Sequence, residues 1–501
     1  MPFRTRLPAG LVCLAAVGTV LATPEWGHTQ PAGLPGTTIV VNTATDLNII
    51  ERPGDPPVCR LRDAIQAANT NKAVSGCLAG QKPHIMTVTP LQVNFIDRIV
   101  FDIGSGTPPA NTPTIKLQSA LPVITEAVTI DGATGGARRV EIAGGGIPRL
   151  RGPGLPPAHG LAVIDSFSTL KSLVINGFGG AGILLTHLDE GMKPLLEPHI
   201  PEQLGETPID PCGSPPPPMD PSECRPHRSS GESDLPELSA AGGGSHTILD
   251  SLIGTNANGA VAIPNGDGTL GSGGIVVLTA GNTIGGLGPN LRNVISGNHG
   301  NGVLLNNVNN RLLGNLIGVR AGNQLNGVLV DGGQFQNATC DIRGNTIVAN
   351  GMNGVAAGFN SCWILSNSIS ENSGLGIERA GAGPTLNDQA GHRSRPPNVP
   401  ALEALGSSST DPRNPQTLIF GTMTQWSTQP ITLSLFDNPT CDPSGSGEGA
   451  RLVATIGALP PGSQIFRFSV PALQLAGYHY FTATATTVEG GTSEFSQCLP
   501  H

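Results

Sequence analysis

The chain has 501 residues, more than one ordinary hydrophobic core can organise, so two domains or one elongated domain are expected. Charged residues make up 13% and aromatics 4%, against 69 glycines and 45 prolines; this suits many short strands joined by tight turns and is unusual for a compact enzyme. The net charge of -9 argues against a nucleic-acid partner, because no basic face is available to neutralise phosphates.

Residues 1–22 read as a secretory signal peptide. Two arginines in MPFRTR precede the apolar LPAGLVCLAAVGTVLA, and Val20 and Ala22 are small residues suited to cleavage after Ala22. No other stretch is long and apolar enough to span a bilayer, so an extracellular location, secreted or at the cell surface, is expected. Without Cys13 eight cysteines remain, in local pairs: Cys59 with Cys77, Cys212 with Cys224, Cys340 with Cys362 and Cys441 with Cys498. An even number in an exported chain reads as four disulfides, and the short spacings and His pairs of a zinc site are missing.

Residues 37–91 are expected to form an N-terminal cap. In CRLRDAIQAAN, Leu61, Ala64, Ile65 and Ala68 share one helical face. That face would cover the open end of the repeats, with Cys59–Cys77 closing the loop that carries it. The competing reading makes Arg62 and Asp63 contacts of a ligand-binding helix.

Residues 92–395 carry the repeat. In HTILDSLIG, NRLLGNLIG, CDIRGNTIV and CWILSNSIS, the positions of Ile248, Leu312, Ile342 and Ile364 coincide. So do those of Ser251, Asn315, Asn345 and Asn367, and those of Ile253, Ile317, Ile347 and Ile369. A second marker keeps step at Ile275, Val303, Val328, Val355 and Ile377, each behind a glycine. Alternating apolar residues broken by Asn and Gly predict a right-handed parallel β-helix of roughly ten coils. A leucine-rich solenoid competes, but no segment between the strands has helical periodicity. Cys340 and Cys362 occupy one position in adjacent repeats, about one strand spacing of 4.8 Å apart and within disulfide range. The Pro-rich residues 187–245 break the repeat and read as an inserted loop, with Cys212–Cys224 pinning its tip. Residues 399–501, with TLIFGTMT, ITLSLFD, RLVATIG, QIFRFSV and YFTATATT, predict a C-terminal immunoglobulin-like β-sandwich. The expected fold class is therefore all-β: a solenoid with a helical cap at one end and a sandwich at the other.

Cys59, Leu61, Arg62, Asp63, Ala64, Ile65, Ala68 and Asn69 resemble the C-S-L-R-E-A-I-x-x-A-N signature of secreted bacterial right-handed β-helix proteins, the CSLREA type, with Arg60 for the usual Ser and Asp63 for Glu. The similarity extends through IVFDIGSG, LPVITEAVTIDGATGG, SLIGTN, NTIGGLGPNLRNVISGN, NGVLL and TLSLFDNPTCDPSGSGEG. The resemblance implies a pectin-lyase-like β-helix outside the cell and brings no established reaction with it.

A lyase on such a scaffold needs clustered carboxylates for Ca²⁺ and a basic residue; a hydrolase needs carboxylates converging across a glycosidic bond. The repeats hold few acids: Asp165, Asp250, Asp331, Asp341 and Glu371, with Arg311, Arg320 and Arg343 as nearby bases. Asp331, Asp341 and Arg343 are the weak catalytic candidates, and Asp341 with Arg343 should flank inward Ile342 as a surface pair. His299 sits in an Asn/Gly turn, and NGDG at 265–268 could hold calcium weakly but reads as an ordinary turn. No cofactor is expected. The outward positions read mainly as Asn, Ser, Thr and Gly. The expectation is a monomeric, non-catalytic protein whose elongated surface meets a polysaccharide or surface glycan. The alternative is a polysaccharide lyase or glycoside hydrolase, on fold analogy alone.

Overall fold

The computed structural model describes residues 34–46, 56–88, 91–104, 112–133, 135–148, 157–164, 167–187, 244–331, 338–379, 383–387, 396–408, 415–425, 430–475 and 479–501. The expected signal peptide and Asp165 lie outside them, as does most of the inserted loop. In the body of the chain each repeat becomes three short strands, laid in turn on three parallel sheets. Thr283–Gly285 lies in the first sheet, Val294–Ile295 in the second and Asn301–Leu305 in the third. The next coil repeats this with Asn310–Leu313, Leu316–Ile317 and Val328–Val330, each paired parallel to its predecessor. This strand order fits a parallel β-helix.

Seven coils with all three strands run from Val128–Asp131 to Ile377–Glu378 among the described residues. Before them, Leu91–Phe101 and Thr114–Lys116 begin a coil that closes through a bridge from Ile124 to Val163. That is fewer than the roughly ten expected. The early coils are longer than the clean repeats, because excursions such as residues 255–272 and 286–292 use chain at the corners without adding strands. The first sheet also starts before the helix, with Leu34–Val41 parallel to Leu91–Phe101.

The coincidences read in the sequence are columns of the core. Ile248, Ile284, Leu312, Ile342 and Ile364 are in register, as are Ile253, Ile295, Ile317, Ile347 and Ile369, all buried. Each inward aliphatic contributes about 1.5–3 kcal/mol by leaving water. The glycine before each third-sheet strand is a packing requirement. A Cβ on Gly302 would lie 2.6 Å from Gly327 O and 2.9 Å from Ile317 Cγ2.

The corners hold asparagine ladders. Between the first and second sheets, Ser251 donates from its backbone N to Asn293 Oδ1. Asn293, Asn315 and Asn345 each donate from both N and Nδ2 to the Oδ1 of the next coil's Asn, ending at Asn367, over 2.8–3.2 Å. Each Nδ2 also reaches a backbone carbonyl of the preceding coil, as Asn345 does to Leu312 O at 2.7 Å. Between the second and third sheets a like ladder joins Asn265, Asn298, Asn323, Asn350 and Asn372. At the third corner, Ser168 donates to His246 Nδ1, His246 to Asn282 and Asn282 to Asn310. Cys340 and Cys362 occupy the next two places in that column and are joined by a disulfide, Cα–Cα 4.6 Å. These asparagines are 0–6% exposed, which corrects the reading of Asn as outward. The left-handed residue is the one before the ladder: Gly314, Gly344 and Ser366 at the first corner, Gly297, Ala349 and Glu371 at the second, Gly281 and Asn309 at the third. That residue turns the chain, and the Asn after it points in.

Both ends are covered. The helix Leu61–Thr70 buries Leu61, Ala64, Ile65, Ala67 and Ala68 in the solenoid core, and Cys59–Cys77 closes its loop. At the other end two antiparallel sheets fit a β-sandwich. One holds Ala401–Ser408, Gln416–Gln425 and Gly462–Pro471; the other holds Arg451–Leu459, Ile431–Asn438 and Tyr480–Thr487 with two short strands. Ile419, Leu433, Phe466, Phe468 and Phe481 pack between them, and Cys441–Cys498 forms a disulfide. The sandwich meets the last coil through its backbone: Ile369 and Gly449 exchange N–H···O bonds of 2.8 and 2.9 Å. Glu448 ends the second ladder, accepting from N and Nδ2 of Asn372 at 3.1 and 3.0 Å and from Glu371 N at 2.5 Å.

Four disulfides were expected, and among the described residues there are three: Cys59–Cys77, Cys340–Cys362 and Cys441–Cys498. The fourth, between Cys212 and Cys224, is not among them. Cys212 lies outside the described residues, and Cys224 lies outside them as well, both within the inserted loop.

Asn345→Ala leaves the buried Asn315 N without its acceptor, takes one of the acceptors of Asn315 Nδ2, and removes the donor to Leu312 O. It should cost at least about 2 kcal/mol in chemical denaturation. Asn258→Ala, in an exposed turn, should stay within about 0.5 kcal/mol.

Burial raises the Glu448 carboxyl above its ordinary 4.5, against the hydrogen bonds from Asn372 and Glu371 that lower it. Its folded form therefore binds the proton more tightly than its unfolded form. The stability it lends is full below the unfolded value and falls as pH rises through the folded one. The denaturation midpoint of wild type minus that of Glu448→Ala should be larger near about pH 4 than at about pH 7.

Candidate functional site

Alternation along a strand sends every second side chain outward, and parallel stacking aligns those side chains into rows along the solenoid. The three sheets carry different rows. On the second sheet the outward row is mixed: Val174, Leu252, Val294 and Leu316 in the middle, with Thr114 and Glu141 before them and Thr346 and Ser368 after. On the third it includes Leu184, Val276, Leu304 and Leu329. On the first it is polar: Arg98, Thr129, Thr169, Thr247, Thr283, Arg311, Asp341 and Trp363, in unbroken register. The first-sheet outer face is therefore the candidate site.

Asp341 and Arg343 both stand on it, on either side of buried Ile342. Arg343 Nε donates to Asp341 Oδ1 at 3.1 Å, and Arg311 Nε stands 4.0 Å from Asp341 Oδ2. Asp331 does not join them. It follows the third-sheet strand Val328–Val330, is exposed, and donates its backbone N to Leu305 O. A second cluster on the face went unread in the sequence. Lys171 Nζ lies 2.9 Å from Asp131 Oδ2, and Arg98 3.5 Å from it. The signal for it was the threonine that opens TLK and sits second in VTID, in register with the threonines of HTIL and NTIG.

The other residues singled out are occupied elsewhere. Asp250 pairs with Arg139 and accepts from Ser172 Oγ at 3.1 Å. Glu371 turns a corner in the left-handed region. Arg320 is exposed and reaches Asn258 O at 3.4 Å. His299 is exposed, with its backbone bonded to Asn265 and Gly268. In NGDG, Asn265 belongs to a ladder and Asp267 accepts from Thr269 N, Thr269 Oγ1 and Ser272 Oγ. Burial works to raise the Asp267 carboxyl, but the bonds from Ser272 and Thr269 outweigh it and hold it below its ordinary range. Among the described residues no three His, Cys, Asp or Glu side chains gather in one place. His159 is half-buried, and the loss of hydration lowers its pKa to about 4; its Nδ1 accepts from Ala181 N.

The helix that could have held a ligand commits its polar residues to the first coil. Arg62 grips Asp46 with bonds of 2.6 and 2.8 Å and donates to Ser119 O and Ala120 O. Asn69 donates to Val123 O and accepts from Thr125 N. Asp63 is buried against Arg60 at 2.6 Å. The motif residues are the fastenings of a cap.

No protein-family model matches the chain, and no curated protein matches it in sequence. Among the described residues no helix is long and apolar enough to cross a membrane.

Because Asp341, Arg311 and Arg343 are all partly exposed, Asp341→Ala should change stability by no more than about 1 kcal/mol, read from the denaturation midpoint. A larger loss would mark the trio as part of the scaffold and remove it from the site.

Proposed function

We propose that this is an extracellular protein, a right-handed parallel β-helix of the pectin-lyase-like class with a CSLREA-type cap and an immunoglobulin-like sandwich. It presents its first-sheet face to a polysaccharide or surface glycan and does not cleave it. The observation that carries this reading is the unbroken polar run from Arg98 to Asp341 along the outward row of the first sheet, where the second sheet is polar only towards its ends and the third carries an apolar run from Leu184 to Leu329. A flat array of hydroxyls repeating at the strand spacing, about 4.8 Å, suits an extended polymer rich in hydroxyls. Three disulfides support a location outside a reducing compartment.

Binding is favoured over cleavage on the same residues. Proton abstraction or glycosidic hydrolysis needs a base and an acid held a few ångströms apart around the substrate. Asp341 is engaged by Arg343 and Arg311, and Asp331 follows a strand of another sheet.

The test is a panel of neutral and acidic polysaccharides, with and without Ca²⁺, scored for retention of the protein, for unsaturated-product absorbance and for reducing ends. Retention without product is expected. Turnover abolished by Asp341→Ala or Arg343→Ala would replace this reading with the enzyme.

A further inference from the structure

The first-sheet face is not uniformly polar. It bears two clusters, each a single carboxylate beneath two cations. Asp131 lies under Arg98 and Lys171, and Asp341 under Arg311 and Arg343. In both the carboxylate is the covered member. The Asp131 and Asp341 side chains are 8% and 19% exposed, against 40%, 37%, 44% and 33% for Arg98, Lys171, Arg311 and Arg343. Each cluster sums to one positive charge (two cations, one anion), so the face turns positive charge outward on a chain whose net charge is -9. The neighbouring Asp250 and Arg139 neutralise one another.

The spacing of the clusters is the second observation. Between the strands of Lys171 and Arg311 lie Thr247–Leu249 and Thr283–Gly285, so the clusters stand three strand steps, about 14 Å, apart. The outward residues on those two strands are Thr247, Leu249, Thr283 and Gly285, all uncharged. At physiological salt the Debye length is about 8 Å, so each cluster acts on the charge directly above it and not as one broad field.

Resting on the glycan-binding reading, we infer that this face holds an acidic polysaccharide whose carboxylates are separated by neutral sugars, its chain crossing the strands along the solenoid. The Arg and Lys donors of each cluster take a carboxylate, for which the arginine fork is matched. The threonine hydroxyls between them take the hydroxyls of the neutral sugars. A polymer charged at every sugar would lay carboxylates over the threonine stretch, where no cation meets them.

The experiment measures retention of the full chain on three immobilised probes at physiological salt. They are gellan, whose glucuronates are separated by neutral sugars; polygalacturonate, charged at every sugar; and neutral dextran. Gellan should bind most tightly. Arg311→Gln with Arg343→Gln, and separately Arg98→Gln with Lys171→Gln, should each weaken gellan about five-fold or more. Thr283→Glu keeps all four cationic residues and sets an anion on the strand beside Arg311, one strand step from it and two from the strand of Lys171; it should weaken gellan by a similar factor. Melting temperatures check that each variant is folded, and the single exposed-face Thr283→Glu serves if a cluster variant is not. Tightest binding to polygalacturonate, or gellan binding that none of the folded variants weakens, overturns this inference and leaves glycan binding standing. Retention on none of the three overturns both.

Discussion

The structure depends on how a buried corner satisfies its backbone. Each coil turns three times, and at each turn a peptide N–H points along the solenoid with no strand partner to receive it. An orphaned buried donor costs about 1–3 kcal/mol, so a stack of such corners would unravel. Here a side chain supplies the missing acceptor. Asn345 offers Oδ1 to the backbone N and Nδ2 of Asn315 and passes its own two donors to Asn367. Asparagine can do this because it holds a strong acceptor and two donors on one short, stiff stem.

A ladder has polarity and therefore ends. The first two run with donors facing the C-terminal end, so their last members need an acceptor beyond the last coil. Glu448 supplies one from the sandwich with both oxygens, which fixes the sandwich to the solenoid at the corner of Asn372. The third column ends differently: past Asn310 the side-chain hydrogen bonds give way to the Cys340–Cys362 bond, in the same register. The column of Asn301, Asn326 and Asn353 runs the opposite way, each later residue donating to the earlier. By locking register at the corners, the ladders also line up the outward rows. Thr283 and the cluster of Arg311, Asp341 and Arg343 stand in line with the asparagines behind them, whereas Arg98, Asp131 and Lys171 lie before the ladders and are aligned by strand pairing.

Much of the fold could be read directly. The columns of Ile248, Leu312, Ile342 and Ile364, the glycine markers and the pairing of Cys340 with Cys362 are visible because the later coils are short and nearly regular. Two things were hidden. Asn and Gly both tolerate the left-handed region, so Gly-Asn reads as a turn with an outward amide; the strand geometry shows that Gly314 or Gly344 makes the turn and the following Asn is buried. The cluster of Arg98, Asp131 and Lys171 was hidden because its members lie in early coils whose corner excursions break the period, so their alignment exists only through the pairing of strands. Asp341 and Arg343 were legible as neighbours flanking Ile342, but the alignment of Arg311 with them comes from the sheet.

Hydrogen exchange separates the ladders from the sheets as the source of register. The backbone amides of Asn298, Asn315, Asn323 and Asn345 donate to side-chain oxygens alone, at corners where an ordinary loop amide would exchange freely. If the ladders hold the solenoid, these amides exchange as slowly as the strand amides of Val303 and Val328, whose partners are backbone carbonyls. Exchange at the rate of exposed turns, with the strands still protected, would show that the sheets hold the coils in register without the ladders, and would contradict the account.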